Sequence, residues 1–320
     1  MATAPSIQRA EWLANAGRGD EALATLDALA GTGDANALFT LGLWRLGGRC
    51  GARDIRAARG LFKRAGQAGR IEGALIHTNF VAAGVGGPAD WARGIAQLRL
   101  LARRDRRAAE PLALIERMRL TRSGDPVAVP PAEPLSEQPH VRRFDRLLTH
   151  EECDYLVRFA GLFLRPSVIV DPSSGRQVAN PIRTSDGAEL SPLLENPAVH
   201  AINRRIAAAS GTPVDNGEPL QVLRYSVGQE YREHFDYLHG LDNQRTHTVL
   251  IYLNDGYAGG ETIFGQTGLT IRGAKGDAIL FRNVLDDGAV DPLSRHRGAT
   301  ITSGQKYIAS RWIRARRFLV

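Results

Sequence analysis

The sequence is poor in lysine, cysteine and long apolar runs. Of 41 basic residues only Lys63, Lys275 and Lys306 are lysines, leaving 41 − 3 = 38 arginines, so a lysine in a chemically telling place stands out against the composition. Cys50 and Cys153 lie far apart and form no CxxC pair. That excludes a disulfide framework and a thiolate metal site, and leaves two reduced apolar side chains. No apolar run approaches the length of about 18 residues that a membrane span needs. The start, MATAPSIQRAEWLANAG, lacks the charged opening and apolar stretch of a secretory signal. A cytoplasmic protein without a membrane partner is the expectation.

An apolar content of 43% and a charged content of 23% describe a globular chain, and 320 residues at roughly 150 per domain suggest two domains. The formal charge of +7 is uneven. Up to residue 139 there are 19 basic and 14 acidic residues, an excess of 5; beyond it there are 22 and 20, an excess of 2. The densest basic run, Arg103-Arg104-Asp105-Arg106-Arg107, falls late in a helical stretch. A solvated helix end accounts for it as well as a phosphate contact does, so nucleic acid is not the expected partner.

Residues 1–122 read as helices rich in Ala, Leu and Arg, broken by Gly-containing turns. Aligning Ala37-Leu38-Phe39 with Ala74-Leu75-Ile76 brings Gly47 onto Gly84, Leu61 onto Leu98 and Ala65 onto Ala102, an offset of 37, with residues 10–30 as a degenerate earlier unit. A period in the thirties marks an α-solenoid. The order of Ala-Leu, Leu-Gly, Gly-rich turn and Ala-rich second helix resembles Sel1-like tetratricopeptide repeats, which implies either a platform for a protein partner or a helical cap. Residues 123–139 hold five prolines and read as an extended linker. From residue 140 the texture is β-rich after a helix capped by Thr149, with strands expected at Gln221–Tyr225, Thr246–Leu253, Ala278–Phe281 and Tyr307–Ile313. Short strands at this spacing suggest a jelly roll or sandwich rather than a βαβ fold.

His234-Phe235-Asp236 is the first chemical signal, because residues i and i+2 of a strand share a face and can reach one metal. A third ligand is offered by His296 in Ser294-Arg295-His296-Arg297-Gly298. Two imidazoles and one carboxylate fill three positions of an octahedral Fe(II) and leave three for oxygen chemistry. Ten residues on, strand alternation puts Lys306, Ile308, Ser310 and Trp312 on one face. A buried ammonium is costly unless it meets an anion, so Lys306 marks the place of a ligand carboxylate.

These blocks stand in order with Arg224-Tyr225-Ser226-Val227-Gly228-Gln229-Glu230-Tyr231, Arg245 to Asp255, Gly259-Gly260-Glu261-Thr262-Ile263-Phe264 and Lys275 to Phe281. Together, residues 140–320 resemble the prolyl 4-hydroxylase type of Fe(II)- and 2-oxoglutarate-dependent dioxygenase. The resemblance implies a double-stranded β-helix domain following the helical repeats. It assigns iron to His234, Asp236 and His296, and the far carboxylate of 2-oxoglutarate to Lys306. Tyr225, Tyr252, Thr262 and Trp312 fall where the family lines its cosubstrate pocket. Arg245 falls at a peptide-contact position, and Arg183 in the loop region that covers the substrate. Also implied are O2 as co-reactant, L-ascorbate to rescue oxidised iron, and a peptidyl substrate, proline first, with the repeats as its platform. The rival expectations are the same chemistry on a free amino acid or nucleic acid, and a non-catalytic interaction protein. Gly265, where family members usually carry proline, and the short stretch from Asp236 to Arg245 are departures on the substrate side. His239 and His247 are expected to be structural, His247 pointing outward by strand parity.

Overall fold

The computed structural model describes residues 6–170 and 177–318. It divides into two compact units, Met1–Gly124 with Pro192–His200, and Asp125–Ser191 with Ala201–Val320.

The first unit is helical: α1 (Ile7–Asn15), α2 (Gly19–Gly31), α3 (Ala35–Gly47), α4 (Ile55–Gln67), α5 (Ile71–Ala83), α6 (Trp91–Ala102) and α7 (Arg106–Ile115). Each packs on its chain neighbour. Helix starts are set by side-chain oxygens: Asp34, Asp54 and Asp90 each accept from the backbone N–H three residues on. The caps of α2, α4 and α6 fall at Arg18, Asp54 and Asp90, and those of α3 and α5 at Asp34 and Arg70. The structural period is therefore 36 rather than 37. It superposes Gly48 on Gly84, both left-handed C-caps, and buried Trp44 on Phe80 and Phe62 on Leu98. Small and aliphatic residues are abundant enough in these helices to coincide at an offset of 37 as well, whereas the caps fix the turn itself.

Close approach between α4 and α5 depends on Gly73, where a Cβ would lie 2.8 Å from the Ala65 Cβ and 3.0 Å from the Phe62 carbonyl oxygen and the Gly66 nitrogen. Gly73→Ala sets a helix-propensity gain of about 1 kcal/mol against overpacking of about 1–3 kcal/mol on main-chain atoms. A net loss of up to about 2 kcal/mol is expected in urea unfolding, and a stabilised variant would show that the helices separate freely.

The second unit is antiparallel throughout. Its eight-stranded sheet runs β1 (Glu133–Glu137), β2 (His140–Phe144), β13 (Ala278–Arg282), β9 (Arg245–Tyr252), β16 (Lys306–Arg314), β7 (Leu220–Tyr225), β6 (Asp186–Leu190) and β3 (Arg165–Pro166). A four-stranded sheet runs β12 (Leu269–Ile271), β11 (Thr262–Phe264), β14 (His296–Gly298) and β8 (Tyr231–His234). Two pairs complete it, β10 (Ala258–Gly259) with β15 (Ile301–Ser303) and β4 (Val168–Val170) with β5 (Gln177–Ala179). Val141, Leu223, Tyr252 and Phe281 of the large sheet meet Phe264 and Ile271 of the small one in one core, a double-stranded β-helix. The α-helices beyond residue 124 are α8 (His150–Gly161) and α9 (Pro197–Ser210), the latter starting in the segment that groups with the helical unit. α8 opens on a capping box between Thr149 and Glu152, and the Glu152 carboxylate also accepts from Arg205 at 2.6 and 2.8 Å.

The proline-rich stretch 123–139 is not wholly a linker. Its residues 133–137 form β1, paired with β2. Pro134 fits there because β1 is an edge strand, where a missing N–H breaks no ladder on the outer side.

Candidate active site

Strand pairing brings the triad together. β14 lies antiparallel to β8 with His296 directly opposite His234, and Asp236 follows two residues after His234. The ligand-type atoms of the three residues lie within 4.8 Å of one another. His234 Nε2 is 3.6 Å from Asp236 Oδ1, and His296 Nε2 is 3.8 Å from Asp236 Oδ2.

Each ring is oriented by the main chain. His234 Nδ1 lies 2.8 Å from the Arg232 carbonyl oxygen and His296 Nδ1 lies 2.9 Å from that of Ser294. A carbonyl can only accept, so both Nδ1 atoms carry a proton and both Nε2 atoms are turned toward Asp236. Burial, followed by the neighbouring His234, pulls the His296 pKa down to about 4, which keeps that ring neutral. Burial pushes the Asp236 carboxyl up, but hydrogen bonding to His234, the electrostatic influence of the two neighbouring imidazoles and the Thr248 hydroxyl outweigh it and hold the acid below the ordinary carboxylate range. Two imidazole nitrogens and an ionised carboxylate, converging in a buried place, fit a divalent metal of the iron type.

The triad opens on a cavity also lined by Tyr225, Tyr231, Leu250, Thr262, Lys306 and Trp312. Lys306 is 4% exposed, donates one hydrogen bond to the Gly260 carbonyl oxygen at 2.6 Å, and makes no ion pair among the described residues. Burial draws its pKa down to about 8, with Glu261 opposing. An ammonium with unused donors at a cavity wall fits one end of an anionic cosubstrate.

Not every residue expected at the site lines it. Tyr252 is 1% exposed and absent from the cavity wall. It stands behind, its hydroxyl 3.3 Å from Thr262 Oγ1 and its ring centroid 5.3 Å from Lys306 Nζ. Arg245 is likewise off the wall: Glu218 binds it in a fork at 2.6 and 2.8 Å, and its guanidinium lies 4.1 Å from the Trp312 ring centroid. Arg183 stacks over Tyr231 at 5.6 Å and donates to Gln221 Oε1 at 3.4 Å. His239 lies edge-on to Tyr237 away from the cavity wall, and His247 faces a different hollow beside Arg282.

Other residues belong to the site without having been singled out. Tyr231 stacks on His234 with ring centroids 3.5 Å apart. Phe264 and Phe281 pack on His296, at 5.6 and 4.8 Å. The Gly260 carbonyl accepts a hydrogen bond from Lys306, and Asn283 donates to Thr248, which donates to Asp236. Tyr231 and Gly260 sit inside the motif blocks, so proximity to His234 and Thr262 was their available signal; Asn283 had none.

Residues 220–314 match the family model of the 2OG-Fe(II) oxygenase superfamily. The chain is 33% identical over 238 residues to probable prolyl 4-hydroxylase 10 of Arabidopsis thaliana, covering 66% of this chain and 82% of the relative. It is 37% identical over 201 residues to prolyl 4-hydroxylase 1 of the same plant, covering 57% and 71%. Among solved structures, a viral collagen prolyl hydroxylase from Paramecium Bursaria Chlorella virus-1 in complex with 2OG aligns at 27% identity with a TM-score of 0.46, over 57% of this chain and 99% of that one. The chain belongs to the prolyl 4-hydroxylase family of the 2OG-Fe(II) oxygenase superfamily, and is a dioxygenase using Fe(2+) and 2-oxoglutarate.

Proposed function

We propose that this chain hydroxylates proline in a peptide or protein, with His234, Asp236 and His296 holding iron and Lys306 holding the far carboxylate of 2-oxoglutarate. The observation that carries the reading is Lys306: a buried ammonium that makes no ion pair among the described residues lines the same cavity as two imidazoles and a carboxylate. When bound, iron and 2-oxoglutarate supply the oxidant, as 2-oxoglutarate and O2 give succinate, CO2 and a hydroxylated C–H bond. The residues of the chain bind and orient. Lys306 fixes one end of the cosubstrate, the triad fixes the metal, and Leu250, Ile308 and Trp312 keep water from the reacting carbon. Tyr225 and Thr262 line the cosubstrate cavity, with Tyr252 bracing Thr262. Arg245 acts through Trp312, and Arg183 through Tyr231.

Ascorbate returns oxidised iron to its working state in this reading. The helical unit serves as a Sel1-like platform for a protein substrate, supported by helix caps recurring every 36 residues at Arg18, Asp54 and Asp90. The helical domain spans 1–122 and the oxygenase domain 140–320, with β1 added to the latter. No helix of the described residues is long and apolar enough to cross a membrane, and we assign the protein to the cytoplasm.

The test is a panel of proline-containing peptides, free amino acids and alkylated oligonucleotides, incubated with Fe(II), 2-oxoglutarate and ascorbate. Succinate release stimulated by a peptide, with one oxygen atom gained on proline by tandem mass spectrometry, is expected. Oxygen placed on another residue, or stimulation by the oligonucleotide alone, overturns the substrate assignment.

A further inference from the structure

Asp236 is not held by the histidines alone. Its Oδ2 accepts the hydroxyl proton of Thr248 at 2.6 Å, and Thr248 Oγ1 in turn accepts from the side-chain Nδ2 of Asn283 at 3.0 Å. Thr248 and Asn283 are both fully buried. They lie on adjacent strands or just beyond one: Thr248 is on β9, opposite Phe281 of β13, and Asn283 directly follows the end of β13. The main chain of Asn283 is clamped as well, its N–H donating to the Thr246 carbonyl and its carbonyl accepting from the Asp291 N–H.

The order of donors has a logical consequence. A hydroxyl carries one proton. If the amide of Asn283 presented its oxygen, it would compete with Asp236 for that proton, leaving a hydroxyl lone pair 2.6 Å from a carboxylate oxygen. By presenting its NH2 group, Asn283 fills the Thr248 lone pair and leaves only one direction for the proton. Asn283 thus sets the polarity of Thr248, and Thr248 ties down one of the two carboxylate oxygens. The other, Oδ1, is the one on the His234 side.

We propose that Asn283 and Thr248 form a positioning relay that commits Oδ2 of Asp236 to a hydrogen bond and presents Oδ1 to the metal. The inference rests on the metal-site reading above. A carboxylate free to rotate would bind through both oxygens and consume a position the cosubstrate or O2 needs; a tethered one offers a single oxygen. Neither Asn283 nor Thr248 lines the cavity, so their role is exerted through Asp236.

The test is Co(II) titration of the full-length protein, following both affinity and the visible absorption of the bound ion. Thr248→Val keeps the shape and removes the hydroxyl, and is expected to weaken Co(II) binding about 10- to 100-fold, the range for partners that orient metal ligands. It should also alter the Co(II) spectrum. Thr248→Ser keeps the hydroxyl and should restore both. Asn283→Ala keeps Thr248 but frees its proton, and should shift affinity in the same direction by a smaller factor. A merely structural role would lower the melting temperature of the metal-free protein while leaving Co(II) affinity and spectrum unchanged, and that result overturns the relay. If Thr248→Val fails to fold, unchanged Co(II) binding by Asn283→Ala overturns it equally. A parent protein that binds no Co(II) removes the metal-site reading itself, a different failure from a parent that binds alongside variants that bind as well.

Discussion

Replacing Asp236 with alanine is expected to lower succinate formation from 2-oxoglutarate by at least about a thousandfold, since losing a ligand costs more than the 10- to 100-fold typical of a partner behind it. Asp236 is the only acidic member of the cluster and is 3% exposed. The remaining donors are two imidazoles, of which His296 already has its pKa drawn down to about 4 by burial and by His234. Without the carboxylate, a divalent cation in this place has no counter-charge and loses one of three anchors. The Thr248 hydroxyl would at the same moment lose its acceptor in a buried site. Asp236→Asn separates charge from shape: if iron depends on the negative charge, the amide fails nearly as badly as alanine. Succinate release by Asp236→Ala at more than about a tenth of the parent rate would move the metal elsewhere.

Lys306→Met should produce two effects of opposite sign. The concentration of 2-oxoglutarate needed for half-maximal turnover should rise about 30- to 1,000-fold, which corresponds to the roughly 2–4 kcal/mol expected on truncating one partner of a desolvated charge pair. The metal-free, cosubstrate-free protein should become more stable. In the folded chain burial holds the Lys306 pKa at about 8 instead of 10.5, so between those values the unfolded chain binds more protons. Stability conferred on the parent therefore rises as pH climbs from about 8 towards 10.5, and the full cost of the buried charge, of order 3 kcal/mol, is present below about 8. Methionine removes that cost and forfeits the hydrogen bond to Gly260, worth about 1 kcal/mol, so a gain of about 1–2 kcal/mol is expected at pH 7, shrinking by pH 10. Apparent affinity of the parent for 2-oxoglutarate should fall as pH passes about 8, and that of the variant should not. Equal affinity in both proteins would show that another cation holds the cosubstrate.

Much of this site is legible from residue order alone, because two of its rules are local. Alternation along a strand puts Lys306, Ile308, Ser310 and Trp312 on one face, and all four line the cavity. The spacing of His234 and Asp236 likewise keeps their ligand atoms together. Parity gives the face but not the depth. Tyr252 shares the inward face of β9 with Leu250 and Thr248, yet only Leu250 reaches the cavity wall. Long-range pairing is the other gap. Arg245 looks free until Glu218, from before β7, closes on it. Asn283 takes its role from a hydroxyl 35 residues earlier, and nothing near it in the chain announces that. In the proline-rich stretch, composition masked an edge strand, since an edge tolerates what a central strand does not.

The two carbonyl oxygens beneath His234 and His296 have a consequence for metal traffic. With both rings pinned through Nδ1 and the carboxylate tethered, little must reorganise when an ion enters or leaves. A rigid nitrogen and oxygen site of this kind has no shape change with which to reject competitors, and cobalt, nickel, copper and zinc all bind such donors more tightly than iron does. If these three residues hold the iron, the ion that occupies the barrel is decided by the supply of metals around the protein, and zinc in excess is expected to inhibit by taking the same three donors.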